Sequence, residues 1–283
     1  MVRPVVRREM VQYVQQHHAL SQRRACRLIG LDRTTARYRP RRPAQTALRE
    51  QLRTLAHERP RFGYRRLVVL LRRAGHAVNH KRVYRLYRLE GLAVRRRQRK
   101  RIAPTQRSVL TAPQQAGQEW AMDFTSDTLA SGRHFRTLNI VDTYSRECLA
   151  IEVDTSLPSA RVSRVLERVG SERGFPGRIR VDNGPEFAGK VLDAWAYGRG
   201  VQLSFIQPGK PMQNGYVESF NGKFRDECLN QHWFLDLDDA RTIIEAWRQD
   251  YNTIRPHSAL GNQSPAVFAQ SAKTVQSTLA SAG

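Results

Sequence analysis

Between residues 120 and 230 the hydrophobic pattern changes period in a fixed order, and that order restricts the fold more than any other property of the chain. Strand-like runs cover Trp120–Thr125, His134–Asp142 and Arg146–Val153, with Ser131-Gly132-Arg133 and Thr143-Tyr144-Ser145 as the turns between them. A helix-like run follows at Ser159–Arg173, then a strand at Gly177–Val181, a helix at Glu186–Gly198, a strand at Val201–Ile206 and a helix from about Met212 to Leu229. The expected class is α/β, a mixed five-stranded sheet with helices.

Three acids sit at telling places in this order. Asp123 lies within the first strand, Asp182 at the end of the fourth, and Glu218 inside the last helix, with 35 residues between Asp182 and Glu218. Carboxylates held on separate rigid elements around one point are what two divalent ions need for in-line attack on a phosphodiester. On the last helix, Asn214, Asn221 and Arg225 share the face of Glu218, while Val217, Phe220, Phe224 and Cys228 form a neighbouring apolar stripe read as core. Asn214, Asn221 and Arg225 are therefore candidate DNA contacts, as is Lys210 in the loop before the helix. Of the other acids, Asp142 is expected to fix a turn, and Glu186 to open a helix, where the dipole favours it.

Charge is divided sharply along the chain. Residues 1–101 hold 29 Lys and Arg against 5 Asp and Glu, whereas residues 102–283 hold 19 against 20, so the net +23 comes from the first third. An Arg-rich block of this kind is the footprint of nucleic-acid binding. It carries helical patterning. Residues 1–43 form a helix-turn-helix candidate, with Ser21 capping Gln22–Leu28, Gly30 ending it and Asp32 capping Arg33–Tyr38. Cys26 and Gly30, four apart, suit a close helix crossing, and Arg33 and Arg37 would face DNA. Residues 44–94 form a second helical module. Ala47, Leu48, Leu52, Leu55 and Ala56 share one face, Leu67–Leu71 make a second helix, and Asn79 caps a third with Val83, Leu86 and Tyr87 inside. The opposite face of that third helix carries His80, Lys81, Arg82, Arg85 and Arg88, the main candidate DNA surface. Residues 95–119 read as a basic and polar linker, 120–230 as the catalytic core, and 231–283 as a C-terminal helix and a tail whose last dozen residues fray.

Cys26, Cys148 and Cys228 are far apart and match no zinc or disulfide spacing. No apolar stretch approaches a membrane span and no signal-peptide core is present, and the reducing cytoplasm is the expected compartment.

Four stretches resemble the second-reading-frame transposases of bacterial insertion sequences, in the insertion-sequence-three family: Arg61-Phe-Gly-Tyr-Arg-Arg66 with Val78–Val83; Val181-Asp-Asn-Gly-Pro-Glu-Phe187; Gln207 to Gly222; and Tyr251-Asn252 through Arg255-Pro-His257 to Gly261. The resemblance implies a ribonuclease H-like integrase core with Asp123, Asp182 and Glu218 as catalytic and metal-binding triad. It also implies Mg²⁺, a first-reading-frame partner protein, and DNA-end cleavage followed by strand transfer. Two ions per site are expected, with Mn²⁺ able to substitute, and a homo-oligomer on DNA that joins two terminal inverted repeats to a target. Gln213 departs from the family pattern, which more often has an acid there.

Other classes remain as alternatives. A catalytically silent DNA-binding regulator of transposition would use the same helical modules. A retroviral-type integrase would carry a His/His/Cys/Cys zinc module, and here only Cys26 lies near the adjacent His17 and His18. A nuclease for RNA–DNA hybrids would have no use for two DNA-type helical modules.

Overall fold

The computed structural model describes residues 4–39, 45–94, 113–207 and 214–281. By their contacts the residues divide into two compact units, Met1–Gln51 and Leu52–Gly283. The division falls inside a helix rather than at residue 43.

In the first unit, α1 (Pro4–His18), α2 (Gln22–Ile29) and α3 (Arg33–Arg37) enclose a small core of Val11, Ala25 and Cys26. The caps are those the sequence suggests: Ser21 Oγ accepts the Arg24 N–H at 3.4 Å, and Asp32 Oδ1 accepts the Thr34 N–H at 2.7 Å. Gly30 serves differently from expectation. Its surroundings are open and its φ is +66°, so it ends α2 in the left-handed conformation and does not allow a close helix crossing.

In the second unit a five-stranded sheet has the order β3-β2-β1-β4-β5, with β1 (Glu119–Thr128), β2 (His134–Asp142), β3 (Cys148–Asp154), β4 (Arg178–Val181) and β5 (Gln202–Phe205). The first three strands pair antiparallel, and β4 pairs parallel to both β1 and β5. Alternation divides each strand between two cores. Trp120, Met122, Leu138 and Ile140 meet α7 (Ser159–Arg173) and α8 (Lys190–Arg199) through Val162, Leu166, Val169 and Leu192. Ala121, Phe135 and Val141 meet α9 (Gly215–Glu227) and α10 (Leu237–Thr253) through Val217, Phe220, Phe224, Ile244 and Tyr251. The result is a helix–sheet–helix sandwich of the ribonuclease H-like kind. Residues beyond 230 do not stand apart from it, because α10 lies on β3 and supplies Ala240, Ile244 and Tyr251 to the second core. Nor, as far as they are described, are the last dozen residues frayed. Helix α11 (Pro265–Ser281) continues through the Ala- and Ser-rich segment, where Ala holds a helix well. Helix α8 starts at Lys190, later than read from the sequence, since residues 185–189 form turns.

The second helical module has α4 (Thr46–Glu58), α5 (Tyr64–Arg73) and α6 (His80–Leu89). Leu52, Leu67, Leu71, Val83, Leu86 and Tyr87 are buried, whereas Ala47 and Leu89 are exposed. Asn79 Oδ1 caps α6 by accepting the Lys81 N–H at 2.8 Å. The Arg61–Arg66 motif joins α5 to the sandwich. Arg59 grips Asp250 with two bonds of 2.6 Å, Arg61 pairs with Asp226, and Arg66 Nη1 reaches Glu227 at 2.8 Å. Arg255, fully buried, donates to both oxygens of Glu227 at 2.6 Å, and its Nη1 lies 3.1 Å from His257 Nε2. Burial, then the charge of Arg255, pull His257 down to about 2, so the neutral ring accepts from the guanidinium. Arg255 and His257 therefore lock the C-terminal segment, α9 and α5 together. Breaking a buried pair of this sort costs about 3–5 kcal/mol. No helix among the described residues is long and apolar enough to cross a membrane.

Candidate active site

Asp123 lies on the central strand and, by alternation, faces α9 with Ala121 and Thr125. Opposite it on β2 is Asn139. Here the apolar pattern of the second core is interrupted by a buried polar rung of Thr125, Thr137, Asn139 and Asn221. Asn221 Nδ2 donates to Asp123 Oδ2 at 2.9 Å, Asn139 Nδ2 donates to Asn221 Oδ1 at 2.8 Å, and the same Nδ2 also reaches Thr125 Oγ1 at 3.0 Å. The Phe124 N–H donates to Asp123 Oδ1 at 2.8 Å. The first acid is thus fixed by its own strand and by the helix that carries the third.

Strand β4 pairs with β1 only as far as Arg180 opposite Ala121. Continuing that parallel register brings Asp182 level with Asp123, just past the point where β4 ends at Val181. The Gly184 N–H donates to Asp182 Oδ1 at 3.0 Å, and a Cβ on Gly184 would stand 3.0 Å from that oxygen, so glycine keeps the carboxylate's turn open. Glu218 projects from the exposed face of the first turn of α9, while Val217 and Phe220 beside it are buried.

Asp123 feels the other two acids. Burial first, then the charges of Asp182 and Glu218, raise the Asp123 carboxyl to about 6, against the lowering pull of the Phe124 N–H and of Asn221. Among the described residues, no three His, Cys, Asp or Glu side chains converge tightly enough to enclose a metal by themselves. Asp182 and Glu218 lie near enough for their charges to act on Asp123 without enclosing a site.

The other predicted residues fall in different places. Asn221 is buried and bonds Asp123, and does not present the DNA-facing surface expected of it. Asn214 is also buried, with its Oδ1 unpartnered among the described residues, and presents no surface to DNA. Arg225 is exposed and bonds the Ser126 carbonyl at 3.4 Å. His80, Lys81, Arg82, Arg85 and Arg88 are all exposed on α6. In the first unit Arg37 is exposed and bonds Gln22 at 2.9 Å, and Arg33 is half-buried. Lys210, Gln213 and the basic run 95–101 lie outside the described residues. Glu186 does not open a helix but sits in the turn before α8 and pairs with Arg136. Asp142 fixes its turn as expected, accepting the Tyr144 and Ser145 N–H groups at 3.0 and 2.7 Å.

Known families match this layout along the chain. Residues 113–211 and 199–265 match two Integrase core domain families, and residues 43–100 match an HTH-like domain family. The chain is 50% identical to the uncharacterized 31.7 kDa protein of insertion element IS407 from Burkholderia multivorans, over 88% of this chain and 91% of that one. It is 46% identical to the uncharacterized 39.2 kDa protein of insertion element IS476 from Xanthomonas euvesicatoria, over 96% of this chain and 79% of that one. The chain belongs to the insertion-element transposases with an integrase core. Transposase InsD of insertion element IS2 from Escherichia coli is 29% identical, over 74% of this chain and 73% of that one. In this transposase the polar rung of Asn139 and Asn221 is the part of the site that sequence reasoning missed. The available signal was Thr137 and Asn139 interrupting the apolar alternation of β2.

Proposed function

We propose that this chain is a DNA transposase that cleaves the ends of its element and joins the freed 3′-hydroxyl to a target phosphate. The observation that carries this reading is that the register of β4 brings Asp182 level with Asp123 on β1, while α9, which carries Glu218, bonds Asp123 through Asn221. A half-buried carboxylate hydrogen-bonded to a neutral amide and a backbone N–H but paired with no cation among the described residues marks a place where a cation can bind. Such a place weighs against a regulator without chemistry, which would use the helical modules alone.

The donor set fits divalent magnesium. All donors are hard carboxylate oxygens, and Mg²⁺ is held by one or two carboxylates plus waters and substrate phosphates, without an all-protein cage. An open cluster is what such an ion requires. Asp123, Asp182 and Glu218 would hold two Mg²⁺ ions, for which Mn²⁺ can substitute. When bound, these ions supply an activated water and neutralise the leaving 3′-oxygen. The residues do the rest. Asn221, anchored by Asn139, keeps the Asp123 carboxylate from turning inward. Asp182 is aimed by the Gly184 turn. Glu218, on the solvent side of α9, completes the site from the face that DNA approaches.

DNA is held by the exposed cations of α6, by Arg225, by Lys210 and, in the first unit, by Arg33 and Arg37. Each phosphate neutralised adds roughly 0.9 to the salt slope of binding. A first-reading-frame partner and a homo-oligomer on two element ends complete the machinery in the bacterial cytoplasm at the nucleoid. The test is nicking of a labelled duplex carrying an element end, with Mg²⁺ or with chelator, by wild type and Asp182→Asn. Nicking that persists in chelator or in the variant would sink the assignment.

A further inference from the structure

Strand β4 leaves the ladder too early for its backbone to hold Asp182. Its register with β1 ends at Arg180 opposite Ala121, short of both aspartates. Side-chain contacts hold the turn that follows. Asn183 Nδ2 donates to the Ile206 carbonyl at 3.0 Å, and Ser159 Oγ donates to the Glu186 carbonyl at 2.7 Å. These tie the turn to the chain after β5 and to the start of α7, but not to the strand that carries Asp123. The link to β1 and β2 is a closed circuit of four side chains. Phe187, fully buried, stacks on Phe124 with ring centroids 4.8 Å apart and 13° between the planes. Arg136 of β2 lies over the Phe124 ring at 4.4 Å, and its Nη1 pairs with Glu186 Oε1, next to Phe187 in the chain. Both aspartates adjoin this circuit. Phe124 follows Asp123 and gives that carboxylate its N–H. A Cβ on Gly184 would stand 3.0 Å from Asp182 Oδ1 and 3.3 Å from Glu186 Oε2, so these two carboxylates flank one point.

We propose that Arg136 and Glu186 are positioning residues for the metal site, holding Asp182 level with Asp123 where the β1–β4 ladder has ended. The assignment rests on the transposase reading above and deepens it. A site of this kind needs its ligands within roughly 0.5 Å of the productive geometry, held by partners that are themselves locked. A half-exposed ion pair adds little to stability. A planar guanidinium seated on an aromatic ring and paired with a carboxylate nevertheless has few geometries open to it. The contribution of the pair is therefore placement of the turn. Arg136 acts through Glu186, and Glu186 through the short turn back to Asp182.

The test is the rise in melting temperature of the full chain, free of DNA, as Mn²⁺ is titrated. Wild type should be stabilised, with a midpoint that reports the affinity for the ion. Arg136→Met and Glu186→Gln should each raise that midpoint about tenfold. The double variant should be no worse than either, because the two residues act as one. Arg136→Lys keeps a cation and should fall between wild type and Arg136→Met, and with Glu186→Gln it carries the test if Arg136→Met misfolds. Melting temperatures in chelator should stay close to that of wild type. Midpoints that move in opposite directions, lower for Arg136→Met and higher for Glu186→Gln, would mean that the pair acts only through its charges and would overturn the positioning role. Unchanged midpoints overturn it as well, and weaker duplex binding by Arg136→Met at an unchanged midpoint makes Arg136 a DNA contact instead. A wild-type chain that Mn²⁺ does not stabilise overturns the metal site of the transposase reading itself, a failure distinct from variants that match a responsive wild type.

Discussion

Replacing Asp123 by Asn should stabilise the fold in the absence of divalent metal. Its carboxyl is raised from an ordinary 3.8 to about 6. Between these values the folded chain binds more protons than the unfolded one, so stability falls as pH rises. The penalty begins near pH 4 and is complete above about pH 6. Two pH units correspond to about 3 kcal/mol, and the partial exposure of the group trims this to about 1–2 kcal/mol. The neutral amide also fits the hydrogen-bond chain. If Asn221 and Asn139 both turn over, an amide at position 123 donates to Asn221 Oδ1 and Asn221 donates to Asn139 Oδ1. That oxygen otherwise has no partner among the described residues. Urea unfolding in chelator at pH 7.5 should show Asp123→Asn more stable than wild type by about 1–2 kcal/mol, or about 2–8 °C in melting temperature. At pH 4 the difference should shrink to near zero, and Mg²⁺ should stabilise wild type but not the variant. Equal or lower stability of the variant at pH 7.5, or a gap independent of pH, would refute the claim that burial of the Asp123 charge beside two other acids strains this site.

Three further outcomes follow from the same contacts. Asn221→Ala removes the side-chain donor to Asp123 and should slow cleavage about 10- to 100-fold, with a stability loss of about 1–3 kcal/mol in urea. Glu227→Gln leaves the buried Arg255 guanidinium short of charge and should cost about 3–5 kcal/mol, whereas Glu186→Gln, from a half-exposed pair with Arg136, should cost less than about 1 kcal/mol. Gly184→Ala sets a methyl 3.0 Å from Asp182 Oδ1 and should depress cleavage while leaving duplex affinity, measured by fluorescence anisotropy, unchanged.

Much of the sandwich was legible because its elements obey local rules. β2 and α7 have the bounds that alternation and 3.6-residue periodicity suggest, and the Val217–Cys228 stripe is core. What periodicity could not give was partnership across the chain. Asn221 shares the Glu218 face of α9 and so passed for a DNA contact, but only the pairing of β2 beside β1 brings Asn139 under it. Arg255 and His257 belonged to a motif without a physical role until Glu227 and Arg66, far away in sequence, closed on them. Glu186 was misread because its distant partner Arg136 outweighs a helix dipole. Ala47 follows the apolar face of α4 in sequence but is exposed.

The central claim is that Asp123, Asp182 and Glu218 form a metal-dependent strand-transfer site. The most direct test is cleavage and rejoining of a branched DNA that mimics the transfer product, in Mg²⁺ and in Mn²⁺, by wild type and Glu218→Gln. Glu218 is exposed and makes no hydrogen bond among the described residues, so the variant should fold as wild type does. The account predicts resolved products from wild type with either ion, and none from the variant at equal DNA binding. Equal product from both proteins, or product from wild type in chelator, would contradict it.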